Sequence, residues 1–195
     1  MAIAKRKKKF FDIEIPIIKK QTQAIAYELN ELDGKFINYD LTRSLRGKSL
    51  LMQLKIKFHP EKKELIAIPR QIKLLPYFLK RMIRKGTNYV EDSFSAQCKD
   101  AKIRIKPFLI TRRKVSRAVR KTLRNMARTE LIEYVKNKTS YELFDEILKN
   151  QLQRPLSLKL KKIYPLSLCE IRVMKVEKEN WKKKRINIDK NTSFI

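Results

Sequence analysis

The clearest pattern in the chain is a strict alternation over residues 50–58. Leu50, Met52, Leu54, Ile56 and Phe58 fall on one side, and Gln53, Lys55 and Lys57 on the other, which is the period of a half-buried strand. Upstream, Ile25, Tyr27 and Leu29 alternate with smaller or polar residues, Asp33-Gly34 follows, and Ile37, Tyr39 and Leu41 alternate again. Because Gly accepts a positive φ without a Cβ clash, this reads as strand, tight hairpin, strand. A turn at His59-Pro60-Glu61-Lys62 leads to a strand around 65–68 that Pro69 closes. Residues 75–85 predict a helix, with Pro76 in its first turn, Leu75, Leu79, Met82 and Ile83 on one face and Gly86 as its stop. Two strands are expected over 88–97 and 102–110. In the second, Ile103 and Ile105 oppose Lys102, Arg104 and Lys106, and Pro107 marks an edge strand or a bulge. A long helix is predicted over 112–136. A second helix runs from the capping box of Thr139 and Glu142 to about residue 152. A short helix over 156–162 ends before Pro165, and a last strand covers 166–176 with Cys169, Ile171 and Val173 on one face. No internal repeat is visible.

Charge changes the picture. The 195 residues carry 48 Lys+Arg against 20 Asp+Glu, a formal net charge of +28, while 43% are apolar, enough for a core. Such an imbalance repels itself, and a polyanion relieves it; counterions released from nucleic acid then drive association. Anionic membrane is the other polyanion. No apolar run approaches the roughly 20 residues that span a bilayer, and neither a lipidation signal nor a signal peptide is expected. Lys5, Arg6, Lys7, Lys8 and Lys9 form an unbroken run, read as an arm over 1–9 that orders on phosphate, and Lys182, Lys183, Lys184 and Arg185 stand beside Trp181 in a tail over 179–195.

The strongest candidate site is the long helix. At about 100° per residue, Arg113, Arg117, Arg120, Arg124 and Arg128 share a narrow stripe, with Arg112, Lys114 and Lys121 adding to it. Val115, Val119, Thr122 and Met126 lie opposite, flanked by Ala118 and Leu123. The helix is thus expected to bury that face on the sheet and present guanidiniums, whose planar fork bonds phosphate and stacks on bases. A solvated helix face laced with ion pairs is the bland alternative, but no acidic residue lies between Arg112 and Arg128. With basic surface spread over tails, sheet face (Lys102, Arg104, Lys106) and helix, an irregular folded RNA fits better than a regular DNA groove.

Other chemistry finds little support. Gly47-Lys48-Ser49 ends like a phosphate-binding loop, but that motif needs Gly where Thr42 stands. His59, in the turn before Pro60, is the only imidazole available to a triad. Cys98, Cys169 and one His fall short of a four-ligand zinc site. A disulfide between the two cysteines is conceivable, though an intracellular chain keeps such thiols reduced. Glu91, Asp92, Asp100, Glu142, Asp145 and Glu146 lack two-metal spacing. Asn137-Lys138-Thr139 and Asn191-Thr192-Ser193 match the glycosylation pattern by chance. No catalysis, metal, cofactor or small-molecule substrate is expected.

Three segments carry a family resemblance: Lys8-Lys9-Phe10-Phe11-Asp12-Ile13; Leu32-Asp33-Gly34-Lys35-Phe36 with Leu41 after it; and Lys161-Lys162-Ile163-Tyr164-Pro165-Leu166 continuing through Ile171-Arg172-Val173-Met174-Lys175-Val176. In this order, over roughly residues 5–178, the chain resembles the archaeal and eukaryotic small-subunit ribosomal protein family S-three-A-e, also called eukaryote-type ribosomal protein S-one. The 112–128 helix falls where that family carries its own basic helix. Phe10 or Phe11 replaces the family's first-strand Trp, and the eukaryotic C-terminal extension is absent, favouring an archaeal-type source. The resemblance implies a barrel-like sheet with packed helices. It also implies a place on the small-subunit platform near the messenger-RNA exit, against the 3′ region of the ribosomal RNA and neighbouring ribosomal proteins. The expectation is therefore one α+β domain over 10–178, an antiparallel barrel-like sheet with a long basic helix and shorter C-terminal helices packed on it. The protein is expected to be cytoplasmic, in the small ribosomal subunit, and neither membrane-bound nor a homo-oligomer. A free nucleic-acid binder (a chromatin protein or RNA chaperone) and an RNA-processing enzyme are the alternatives.

Overall fold

The structure, a computed structural model, describes residues 7–45, 47–60 and 64–179. Among the described residues, nine strands, mostly antiparallel, and four α helices give the expected α+β architecture. The chain groups into two compact units, residues 1–72 and 73–195.

The first unit holds β1 (Lys9–Ile15), β2 (Lys20–Ala26), β3 (Phe36–Asp40), β4 (Leu50–His59) and most of β5 (Glu64–Leu74), in the bonded order β2-β1-β5-β4-β3. Among the described residues β2 and β3 do not pair with each other, so this run is open rather than a closed barrel. The β4 alternation holds as expected, burying Leu50, Met52, Leu54 and Ile56. The phase of β2 is the reverse of the expected one. Residues directly opposite in an antiparallel ladder share a face, and β1 commits Ile13 and Ile15 to the core. The register sets Ile13 opposite Thr22 and Lys9 opposite Ala26, while Phe10 and Ile25 pair on the outer side. Ala26 is therefore buried and Ile25 exposed.

Asp33-Gly34 does not join two strands. Residues Leu29–Leu32 form a 3-10 turn, and Gly34, at φ +75°, donates its N–H to the Ile56 carbonyl at 3.0 Å. The Asp33 carboxylate accepts from the Phe58 N–H at 3.1 Å. The dipeptide docks on β4, and β3 pairs with β4 rather than with β2. Nor does Pro69 end its strand. β5 buries Leu65, Ala67 and Pro69 and then Ile72 and Leu74, so the alternation slips by one residue just past the proline and continues, as at a bulge.

The second unit opens with α1 (Pro76–Met82), Pro at its first turn and Phe78 and Leu79 buried. It ends sooner than expected, and Gly86, at φ +83°, belongs to the turn that follows. The strand expected over 88–97 is two pieces, β6 (Tyr89–Glu91) and β7 (Phe94–Gln97), both on β8 (Ala101–Thr111) in one continuous register. The break at Asp92-Ser93 lies opposite Lys106-Pro107, where Pro107 has no N–H for a ladder. β8 is interior, flanked by β9 (Leu166–Glu179) on its other side, so Pro107 marks a bulge and not an edge. Three register shifts along β8–β9 leave Glu177, Arg172 and Ser167 of β9 without a direct partner. The shift at Arg172 flips the face: Cys169 and Ile171 are buried, but Met174 replaces the expected Val173 as the next core residue.

Packed on these strands are α2 (Arg117–Lys136), α3 (Ser140–Leu148) and α4 (Gln153–Lys161). The Thr139–Glu142 capping box is formed, a contribution of about 1 kcal/mol. Asn150, at φ +60°, ends the turn after α3, sooner than expected. A network ties the end of α2 to α3: Lys138 pairs with Glu146, and its ammonium donates to the Tyr134 hydroxyl at 2.6 Å. That hydroxyl in turn donates to Glu146 at 2.9 Å. α2 packs against β6, β7 and α4, and α4 against β9.

Candidate nucleic-acid interface

The basic helix starts five residues later than expected. Thr111 donates its hydroxyl proton to the Arg113 carbonyl at 2.7 Å, and the Val115 N–H donates to the Asn88 side chain at 2.8 Å. This holds 112–115 as an extended link, and Ser116 caps the helix by accepting from the Val119 N–H at 3.4 Å. Arg112, Arg113 and Lys114 are exposed on that link rather than on the helix.

On α2 itself, the buried stripe is Leu123, Ala127, Leu131 and Val135. Thr122 and Met126, expected inside, face solvent, Met126 being 38% exposed. The arginines border the core instead of opposing it. Arg117, Lys121 and Arg124 are exposed, Arg120 is half-buried, and the exposed Arg128 guanidinium lies 5.6 Å from the Phe94 ring centroid. Long aliphatic stems let Arg cover apolar surface with the head at the rim, which is why the expected phase was off by part of a turn. No acidic residue stands in the first turn of α2, and the first on the helix, Glu130, is paired with Lys159 of α4.

Arg117, Arg120, Lys121, Arg124 and Asn125 line a shallow groove of about 450 Å³ whose remaining wall is Tyr89 of β6. Tyr89 is 53% exposed, yet it is held: its ring stacks on Phe108, 1% exposed, with centroids 5.9 Å apart and planes 23° apart. The Arg120 Nε–H is buried and meets no acceptor among the described residues. The sequence reading missed Tyr89, because an isolated aromatic at the start of a strand carries no signal until the register gives its face.

The sheet face is less available than its sequence implies. Lys102 and Arg104 are exposed and Lys106 half-buried. The bulged Glu177 accepts from the Ser95 hydroxyl at 2.9 Å and pairs with Arg104 Nε at 2.6 Å. The Ser95 hydrogen bond, then the Arg104 charge and the charge of Lys102, hold the Glu177 carboxyl below its ordinary 4.5, against the opposing effect of burial. This stabilisation is present above pH 4.5 and is lost as pH falls through the lower folded-state value. Ser95→Ala, by removing the largest cause, should move Glu177 back toward 4.5 in an NMR pH titration of the carboxyl carbons. The bulged Arg172 likewise turns to Glu91, with Nη1 at 2.9 and 2.8 Å from its two oxygens.

Of the predicted terminal cations, Lys7, Lys8 and Lys9 are exposed, Lys9 already within β1, and the Lys8 ammonium sits 5.5 Å from the Tyr27 ring centroid. Lys5, Arg6, Lys182, Lys183, Lys184 and Arg185 lie outside the described residues. A basic cluster went unread: Lys80, Arg81, Arg84 and Lys85, all exposed, in a stretch with no acidic residue from Leu65 to Val90. Among the described residues no group of three or more His, Cys, Asp or Glu is placed to hold a metal, and no helix is long and apolar enough to cross a membrane. Cys98 and Cys169 are buried and are not joined in a disulfide, and burial, then Asp100, pushes the Cys98 thiol up to about 12.

Two comparisons bear on this surface. The model of the Ribosomal S3Ae family matches residues 4–180. Small ribosomal subunit protein eS1 of Nanoarchaeum equitans (strain Kin4-M) is 26% identical over 182 residues, spanning 88% of this chain and 90% of the relative. The family match takes in every strand and helix described above, including the groove between Tyr89 and α2, and the chain therefore belongs to the Ribosomal S3Ae family.

Proposed function

We propose that this protein is a structural component of the small ribosomal subunit that holds ribosomal RNA through its basic surface and catalyses nothing. The observation that carries the reading is the α2 cation row, uncompensated by acids from Arg112 to Arg128, on a member of a ribosomal protein family. Arg117, Lys121 and Arg124 stand free to meet phosphates, with Arg112, Arg113 and Lys114 on the link, Lys80 and Arg81 in the last turn of α1 and Arg84 and Lys85 just after it widening the footprint. Neutralising each phosphate releases counterions, so affinity falls steeply with salt. The terminal basic runs extend the same chemistry along the RNA. A protein neighbour fits the outer side of β1–β2, where Phe10, Ile25 and Tyr27 are exposed together. The protein works in the cytoplasm as one copy per small subunit. Its place is on the platform near the messenger-RNA exit, against the 3′ region of the RNA.

Sucrose-gradient sedimentation of native lysate, quantified against other small-subunit proteins, tests this. The expected result is one copy per small subunit, retained through a moderate-salt wash. Recovery at the top of the gradient, or on DNA, would replace the reading with a free nucleic-acid binder.

A further inference from the structure

We infer that the groove between Tyr89 and the start of α2 takes a single unpaired nucleotide of a folded RNA, its base stacked on the Tyr89 ring and its phosphate held by the α2 arginines. This rests on the RNA-binding reading and adds a specific site to it. Three independent features converge. Tyr89 has one ring face against Phe108 and is 53% exposed, which leaves a fixed aromatic platform rather than a mobile side chain. Exposed aromatics of this kind accept any base, because every base has a π-face. Arg117, Arg120, Lys121 and Arg124 line the same groove at one- and two-turn spacing, all cationic. The buried Arg120 Nε–H has no acceptor among the described residues, although a donor so placed is ordinarily paired. A phosphate oxygen supplies what it lacks.

The groove, at about 450 Å³, falls within the range of small-ligand clefts, roughly 300–1,000 Å³. It is too local for a helical groove, and paired bases present no free face to Tyr89. An unpaired nucleotide satisfies both halves of the site, since the base and its own phosphate are joined by one sugar. A free mononucleotide shares this chemistry, so the test must separate the two sources.

The full chain is titrated against an RNA hairpin with one bulged adenosine, the same hairpin with an abasic residue at the bulge, and its fully paired counterpart. The bulged adenosine should bind about 10-fold more tightly than the abasic form. Tyr89→Ala should erase that difference, and Tyr89→Phe, which keeps the ring, should retain it. Excess adenosine monophosphate should leave hairpin binding unchanged. Because the abasic comparison uses the unaltered protein, folding of the variants does not limit the test. Equal, salt-dependent binding of all three hairpins would overturn the stacking site while leaving RNA binding in place. Displacement by adenosine monophosphate would overturn it in favour of a free nucleotide. Binding to none of the RNAs would remove both the site and the reading beneath it.

Discussion

Replacing Arg117, Lys121 and Arg124 together with Glu should weaken binding to small-subunit RNA by about 10³-fold and make its log–log salt dependence shallower by about 3. Each lost charge-assisted contact is worth roughly 1.5–3 kcal/mol, and the three are not fully additive. All three side chains are exposed, so the melting temperature should stay close to that of the unaltered chain. Arg120 is deliberately left in place, because it is half-buried and its substitution would mix folding with binding. Filter binding over a range of salt, with circular dichroism of each variant, gives both readouts. An unchanged salt slope would remove α2 from the RNA footprint even if affinity fell.

Phe108→Ala is the largest expected stability loss. Phe108 is 1% exposed on interior strand β8, paired with Glu91 on one side and Glu170 on the other. Truncating a buried Phe costs about 3–5 kcal/mol, through lost transfer energy and the cavity left behind. For a chain of this size that lowers the melting temperature by about 10 °C. The exposed Met126→Ala should stay within about 0.5 kcal/mol. Thermal unfolding of both separates core from surface. Phe108→Ala also removes the backing of Tyr89, so any preference for a bulged adenosine should weaken even below its melting point. A melt unchanged by Phe108→Ala would contradict the placement of this side chain in the core.

Much of the architecture could be read from residue order alone, wherever one element decided its own faces. β4 alternates because Leu50, Met52, Leu54 and Ile56 share one buried face, and Thr139 with Glu142 caps α3 through residues three apart. The errors arise where a neighbour decides. β2 turns Ile25 outward because Ile13 and Ile15 of β1 fix the register. Met174 replaces Val173 because a bulge at Arg172 reverses the face, which no local period reveals. For the candidate interface, the cationic helix was visible as a row without acids. Its start at Arg117 was not, because Asn88, nearly thirty residues earlier, holds the link extended. Nor was the match of that row with Tyr89, which depends on two strands sharing one register across the break opposite Pro107.

The Arg120 Nε–H, without an acceptor among the described residues, has a consequence for the chain before it meets the RNA proposed above. An unsatisfied buried donor costs about 1–3 kcal/mol, and a net charge of +28 adds self-repulsion throughout the fold. On the function proposed above, bound RNA phosphates reduce both penalties, so by mass action the bound chain opens less often than the free one. Proteases act on the opened form, and at marginal stability a difference of a few kcal/mol changes its population by orders of magnitude. On the function proposed above, copies made in excess of their RNA are those most readily cleared. The amount of this protein then follows the amount of RNA available to receive it, without any separate regulator.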